Sequence, residues 1–486
     1  MSFVDADKLK QITSARQHFR KGMTQLTMAA STSPLSVETP LDCSSAEFSS
    51  LEEHREHLSG QAKLPLGFRV GSESLTFTPQ EVPVEGEMNV TAIVMDQPSE
   101  LWAAVFTRNM FPGAPVVVGR ERLKADGGAL QGIIINNKVS NVCPAGDSAG
   151  KGSAGVADSE RICERLAEEF GFPGGAEVVL PSSTGVIGWR LPVSSICDNL
   201  ARVKANMQSE SLFPAARSIM TTDRYPKLRG TQVGSNGGRL VGIAKGAGMI
   251  EPNMATMLVY LLTDLQIPRQ TLREMLSKKC DATFNCISID SDTSTSDTVA
   301  LLSSGKVPLG PGDLEDFEEK LGLICEGLAE DVVRNGEGTS HVIKVRVTGA
   351  PTDALARRLG KAVVNSPLFK SAVAGNDPNV GRLLAVVGRV MAIESPETDT
   401  SKTKISLGGR VVFEENAFAI TPELEEDLFH MFKRAEMCSE GEHLSFPPHF
   451  RVVPVEIDLG AGEGRSTVVG SDLTTEYVHI NADYRS

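Results

Sequence analysis

What this sequence lacks narrows its function first. No apolar run approaches the ~18 residues that a membrane helix requires. The eight cysteines, at 43, 143, 163, 197, 280, 286, 325 and 438, are scattered and include no CxxC pair. That pattern reads as reduced thiols in an intracellular protein and argues against a disulfide framework or a zinc site. The eight histidines contain no HxxxH or HExxH pair, so neither metal hydrolysis nor a histidine-based triad has support in the sequence. Basic residues are outnumbered, 48 Lys and Arg against 62 Asp and Glu, for a net charge of −14. Nucleic acid and anionic membranes are therefore poor principal partners. A local basic pocket for a carboxylate remains open.

The 486 residues that are there suffice for two domains and a large core. Residues 8–37 contain no acid, carry Lys8, Lys10, Arg16, Arg20 and Lys21, and are rich in Ser and Thr. Together with the lack of apolar periodicity to residue 65, this predicts an N-terminal extension over 1–65, disordered or targeting. The compartment is accordingly cytoplasmic, or a mitochondrial matrix or plastid if that extension is a transit segment. Short apolar runs at 103–107, 115–119, 132–136 and 177–181 read as strands, as do 342–349 and 451–460. Helical spacing marks 158–171, 269–280, 313–334, 352–364 and 422–437. Strands and helices alternate throughout, which predicts an α/β fold of mixed α+β layers.

Two motifs are decoys. "GDSAG" (146–150) matches the GxSxG nucleophile elbow around Ser148, but that elbow must sit directly between a strand and a helix. Here "NKVSNVCPA" intervenes. "GDSAGKGS" approaches a phosphate-binding loop, yet Gly152 stands where Ser or Thr must follow Lys151.

A third stretch, "AKGAGMIEPNMATMLVYLLTD" (244–264), carries a lysine in a glycine-rich loop and a threonine at the head of an apolar strand. A β-branched residue opening a strand is common. It also has a specific use, because a hydroxyl can attack the carbonyl before it and shift the acyl group from nitrogen to oxygen. Hydrolysis then frees an N-terminal threonine, whose α-amine, with an ordinary pKa of about 7.7–8.0, is a built-in base for its own hydroxyl. Small Ala255 would ease the geometry. Such an enzyme needs no catalytic histidine.

This stretch resembles the self-cleavage segment of the ornithine acetyltransferase family, the glutamate N-acetyltransferases of the cyclic arginine pathway. "STGVIGWRLP" (183–192), "MTTDRYPK" (220–227), "FNCISIDSDTSTSDT" (284–298), "RNGEG" (334–338), "NSPLFKSAVAGNDPNVGR" (365–382) and "DLTTEYVHINADYRS" (472–486) agree with it in order. The resemblance implies an N-terminal-threonine nucleophile enzyme of the ornithine acetyltransferase and β-aminopeptidase type. It implies cleavage between Ala255 and Thr256 into an α chain (66–255 beyond the extension) and a β chain (256–486), interlocked as one unit. Thr256 becomes the nucleophile, and Thr184 with Gly185 the oxyanion hole. Thr222, Lys245, Thr256, Glu337, Asn481 and Ser486 become the substrate-binding set. Acetylornithine would give its acetyl group to glutamate through an ester on Thr256, with no metal and no bound cofactor. Two α and two β chains would form the assembly. Acetyl-CoA is a second donor on which the sequence does not decide.

The chain departs from the family pattern at Glu251, where a small or apolar residue is usual, and a charge so near the nucleophile is expected to slow or retune cleavage. It departs again in the loop 135–144, at Val380 and at Ser471. The competing readings are a self-cleaving aminopeptidase of related fold, a serine esterase using Ser148, and an unprocessed, non-catalytic relative.

Overall fold

The apolar run Leu258–Leu265, buried at every position, is the middle strand of a five-stranded sheet in the computed structural model. The structure describes residues 48, 50–124, 128–144, 153–251, 257–437 and 451–482. This strand pairs antiparallel with Gly238–Lys245 on one side and parallel with Thr298–Val307 on the other. Trp102–Phe106 and Lys227–Val233 complete the sheet at its two edges. Successive side chains of a strand point to opposite faces, and the middle strand uses both. Leu258, Tyr260 and Leu262 pack on a four-stranded sheet, through Phe68, Val70, Ile133 and Leu180 among others. Val259, Leu261 and Leu265 pack instead on the helices Arg269–Ala282 and Arg334-terminated Asp313–Arg334. The single polar atom that Tyr260 brings between the sheets is satisfied, since its hydroxyl donates to Ser182 Oγ at 2.6 Å.

The four-stranded sheet, ordered Phe68–Phe77, Gly86–Ser99, Leu130–Asn136, Val179–Ser183, carries the helices Ser153–Phe170 and Val193–Ala205 on its outer face. The result is an α–β–β–α stack. A further seven-stranded mixed sheet, in which Val342–Ala350 lies between Val453–Asp458 and Gly464–Ser471, is covered by the helices Asp353–Val364, Val380–Glu394 and Pro422–Ala435. The mixed α/β class read from the sequence is the class observed.

Most predicted elements form where their periodicity places them. The helix 313–334 runs over Asp313–Arg334, with Asp313, Glu315 and Asp316 in its first turn, where acids complement the helix dipole. The run 115–119 is a correction: it is not a strand but part of the helix Ala114–Lys124. An apolar run this short does not distinguish a buried strand from a buried helix. Pro115 is tolerated because the first turn needs no amide from it. Arg122, further along, is buried and holds Glu160 at 2.6 Å and Glu177 at 2.9 Å.

A second difference concerns the predicted extension. Residues 1–47 lie outside the described residues, but the packed body begins before residue 66. The helix Leu51–Gln61 is capped by Ser50 and buries His54 and Leu58, and Ala62 and Leu64 follow it into the core. His54 stacks edge-on against Tyr225, ring centroids 5.3 Å apart, and lies beside Phe48. Burial depresses its pKa to about 4, with Asp331 opposing. The unfolded chain, titrating near 6.5, therefore binds more protons between these values, and stability is lost as pH falls from about 6.5 towards 4. We expect the wild type to lose about 2–3 kcal/mol more than His54→Phe between pH 7.5 and 4.5 in urea unfolding. Equal losses would show that His54 does not set the acid limb.

Candidate active site

Several strand ends and loops meet around one cavity of about 330 Å³. Its first wall is the chain leaving the strand Val179–Ser183. The Thr184 amide donates to Asn136 O at 3.0 Å and the Val186 amide to Lys138 O at 2.9 Å. Gly185 sits between them at φ +122°, and a Cβ there would lie 2.1 Å from Lys138 O. Only glycine permits this turn. Among the described residues the Gly185 N–H has no acceptor. Lys245 Nζ donates to Thr184 Oγ1 at 3.2 Å. An ammonium has no lone pair to return, so the Thr184 hydroxyl accepts there and keeps its own proton to donate. A hydroxyl and a backbone N–H side by side are what an oxyanion requires.

Lys245 is the last residue of its strand and pairs with Leu258 across the sheet. The loop around it is fixed by Asp223, which the sequence reading passed over within "MTTDRYPK". One Asp223 oxygen accepts from the Gly246 amide at 2.9 Å and from Lys227 Nζ, and the other accepts from the Thr221 amide at 3.0 Å. The Asp223 and Lys227 side chains are both fully buried. Burial alone would raise the Asp223 pKa, but Lys227, then Lys245, hold the carboxyl well below the usual range. One buried carboxylate thus ties together the two loops that present Thr222 and Lys245.

The opposite wall carries the acid. The helix Asp313–Arg334 ends at Asn335, whose side chain caps the 224–225 loop: Oδ1 accepts from the Arg224 amide at 2.8 Å, and Nδ2 donates to Tyr225 O at 3.2 Å. Glu337 follows, its amide donating to Ala247 O at 2.8 Å. Its carboxylate is buried and accepts from Thr222 Oγ1 at 2.6 Å and Asn481 Nδ2 at 2.9 Å. A Cβ on Gly248 would meet Glu337 Oε2 at 2.5 Å, so glycine there makes room for the carboxylate. The helix Thr475–Ala482 brings Asn481 in from the far end of the chain.

All the predicted site residues that the structure describes, namely Thr184, Gly185, Thr222, Lys245, Glu337 and Asn481, line this cavity. Thr256, Ala255 and Ser486 lie outside the described residues, as do "GDSAG" with Ser148 and Lys151–Gly152. Met257, next in sequence to Thr256, is on the cavity wall. Ser294 to Asp297 form a further wall that the sequence reading quoted but did not use. The described cavity therefore presents one ammonium, from Lys245, and the carboxylates of Glu337 and Asp297. Charges of both signs suit a zwitterionic ligand with its own carboxylate and amine. Glu251 points away from this arrangement: its carboxylate lies by Ser288, Asn365 and Lys361.

Comparison with known proteins gives a consistent result. The ArgJ family matches residues 80–486. The chain is 36% identical over 382 residues to arginine biosynthesis bifunctional protein ArgJ 2 of Clostridium acetobutylicum, covering 79% of this chain and 89% of that one. It is 38% identical over 410 residues to arginine biosynthesis bifunctional protein ArgJ of Ruegeria pomeroyi, covering 83% and 92%. It is 36% identical over 424 residues to glutamate N-acetyltransferase Oat2 of Streptomyces clavuligerus, covering 87% and 98%.

Proposed function

Because this chain belongs to the ArgJ family, an acyltransferase family of arginine biosynthesis, we propose that its cavity moves the acetyl group of acetylornithine to glutamate. The observation that supports this reading best is the meeting of Lys245, the Thr184–Gly185 pair and Glu337 on one cavity, beside the chain neighbour of Thr256.

The enzyme first makes its own nucleophile. Thr256 Oγ attacks the Ala255 carbonyl carbon; the C–O bond forms, the C–N bond breaks, and the hydroxyl proton passes to the nitrogen. Water then hydrolyses the ester, leaving a carboxylate on Ala255 and a free amine and hydroxyl on Thr256. In turnover the amine takes the proton from Oγ as the oxygen attacks the acetyl carbonyl of acetylornithine. The Thr184 hydroxyl and Gly185 N–H stabilise the oxyanion, each donor being worth ~3–4 kcal/mol. The C–N bond breaks, the proton goes to the departing ornithine amine, and the acetyl group remains on Thr256 as an ester. The amine of glutamate attacks that ester and restores the hydroxyl. Lys245 holds the α-carboxylate of either amino acid as a compact cation. Glu337, oriented by Thr222 and Asn481, receives an amino group, and Ser486 completes the set.

The cut pieces stay together because the five-stranded sheet is interleaved. Strands 227–233, 238–245 and 102–106 come from the α chain, and 258–265 and 298–307 between them from the β chain. Two such pairs make the proposed heterotetramer. Among the described residues no helix is long and apolar enough to cross a membrane, and the site of action we assign is the cytoplasm.

The kinetic signature is ping-pong. Double-reciprocal plots against acetylornithine and glutamate should be parallel, and labelled ornithine should exchange into acetylornithine without glutamate. Intersecting plots without exchange would overturn the acyl-enzyme. Acetylornithine hydrolysis outrunning transfer at saturating glutamate would favour the aminopeptidase reading. Acetyl-CoA offered in place of acetylornithine tests the second donor.

A further inference from the structure

The three residues just upstream of 252–256 are each held by backbone hydrogen bonds to the 289–293 loop. Asp290 accepts from the amides of both Met249 and Ile250, each at 2.7 Å. The Glu251 amide donates to Asp292 O at 2.9 Å, the Ile289 amide to Ile250 O at 2.6 Å, and Thr293 Oγ1 to Glu251 O at 3.1 Å. The Glu251 side chain adds a second layer. Asn365 Nδ2 donates to its Oε2, the Ser288 hydroxyl lies 3.0 Å from that oxygen and 2.6 Å from Asn365 Oδ1, and Lys361 Nζ lies 3.9 Å from Oε1. Lys361 and Asn365 close the C-terminal end of the helix Asp353–Val364. A carboxylate at that end opposes the helix dipole unless it is paired, and here it is. Downstream of 252–256 the chain is held at Leu258, between Lys245 and Thr298.

From this we infer that Glu251 is a positioning residue for self-cleavage, its carboxylate pinning the upstream end of the segment that contains Ala255–Thr256 to the 288–293 loop and the 353–364 helix. The inference rests on the proposed cleavage at that bond. It also revises the expected effect of the charge: Glu251 is an anchor turned away from the cavity, and it promotes scission. Acyl transfer by chains already cut does not use it.

The test is a time course of cleavage after pulse-labelled synthesis of the full chain, for wild type, Glu251→Ala, Glu251→Gln and Lys361→Met. Losing a charge-assisted anchor should slow cutting of Glu251→Ala about tenfold. Glu251→Gln and Lys361→Met should each slow it by a smaller factor, because each keeps part of the network. Material that has been cut should keep a wild-type kcat/KM for acetylornithine. Glu251→Ala cutting at the wild-type rate would overturn the anchor. So would wild-type rates in both milder variants, which decide the matter if the alanine variant does not fold. Failure of the parent reading looks different: the wild type stays whole, or Thr256→Ala is still cut at the same bond.

Discussion

A Thr256→Ala chain is expected to leave synthesis as one piece, while the wild type separates under denaturing conditions into residues 1–255 and 256–486. Intact mass spectrometry places the cut to the residue. Acetyl transfer by the variant should fall by about 10⁴-fold or more, the scale seen when a covalent nucleophile is removed. The effect is large because alanine removes two functions together. The hydroxyl that attacks is gone, and the α-amine that would serve as its base stays locked in a peptide bond. Thr256→Ser separates these contributions: it keeps the hydroxyl, so it should still be cut and still form an acyl ester, at a reduced rate. Under native conditions the two wild-type pieces should elute together, since the strand ending at Lys245 pairs directly with the strand beginning at Leu258. A wild-type chain that stays whole while folded would remove the basis for the mechanism and leave a binding role. A Thr256→Ala chain with full activity would move the nucleophile elsewhere, with Ser148 the first position to replace.

The sequence disclosed elements where one periodicity ran long enough to exclude the other. Phe317, Leu321, Ile324 and Leu328 repeat over more than two turns, and the helix lies where that stripe puts it. "PVVVG" offers five residues, too few for periodicity to choose, and the packing of Val116 and Gly119 beneath Phe106 and Leu180 decides for helix. The meeting of Thr184, Lys245 and Glu337 on one cavity was legible through motif resemblance alone, because each looks like an ordinary turn or surface residue when taken by itself. Asp223 was not legible. Lys227 lies only four residues on, but the role of Asp223 depends on Gly246 arriving from the next strand end, and no spacing rule connects an aspartate to an amide 23 residues on. The surroundings of Glu251 were not legible either. Its carboxylate's partners Ser288, Lys361 and Asn365 come from elements far downstream, so distance along the chain does not show where the charge lies.

The Asp223–Lys227 pair carries the second large prediction. Asp223→Asn leaves the Lys227 ammonium fully buried without its counter-charge, and breaking one side of a buried pair costs about 3–5 kcal/mol. Because the carboxyl is held below its ordinary range, the pair contributes fully above the unfolded pKa of about 3.9 and is lost only as acid approaches the folded value. Burial already holds the Lys227 ammonium below its ordinary pKa and Asp223 opposes that, so without the carboxylate the unfolded variant binds more protons than the folded one and the cost should be smaller at pH 8 than at pH 6. Adding Lys227→Met removes the stranded charge and should restore most of the stability. It should not restore activity. Asparagine keeps one acceptor and turns an NH₂ group towards the other amide, so either Gly246 or Thr221 loses its anchor. Those amides adjoin Lys245 and Thr222, and small displacements of binding groups cost on the order of 10²-fold. Urea unfolding together with kcat/KM for acetylornithine separates the two effects. The expected pattern is a double variant that recovers most of the wild-type stability and is roughly 10–100-fold slower. A double variant with wild-type kcat/KM would show that Asp223 serves the fold alone, and that Lys245 and Thr222 are held in place by the sheet and by Glu337.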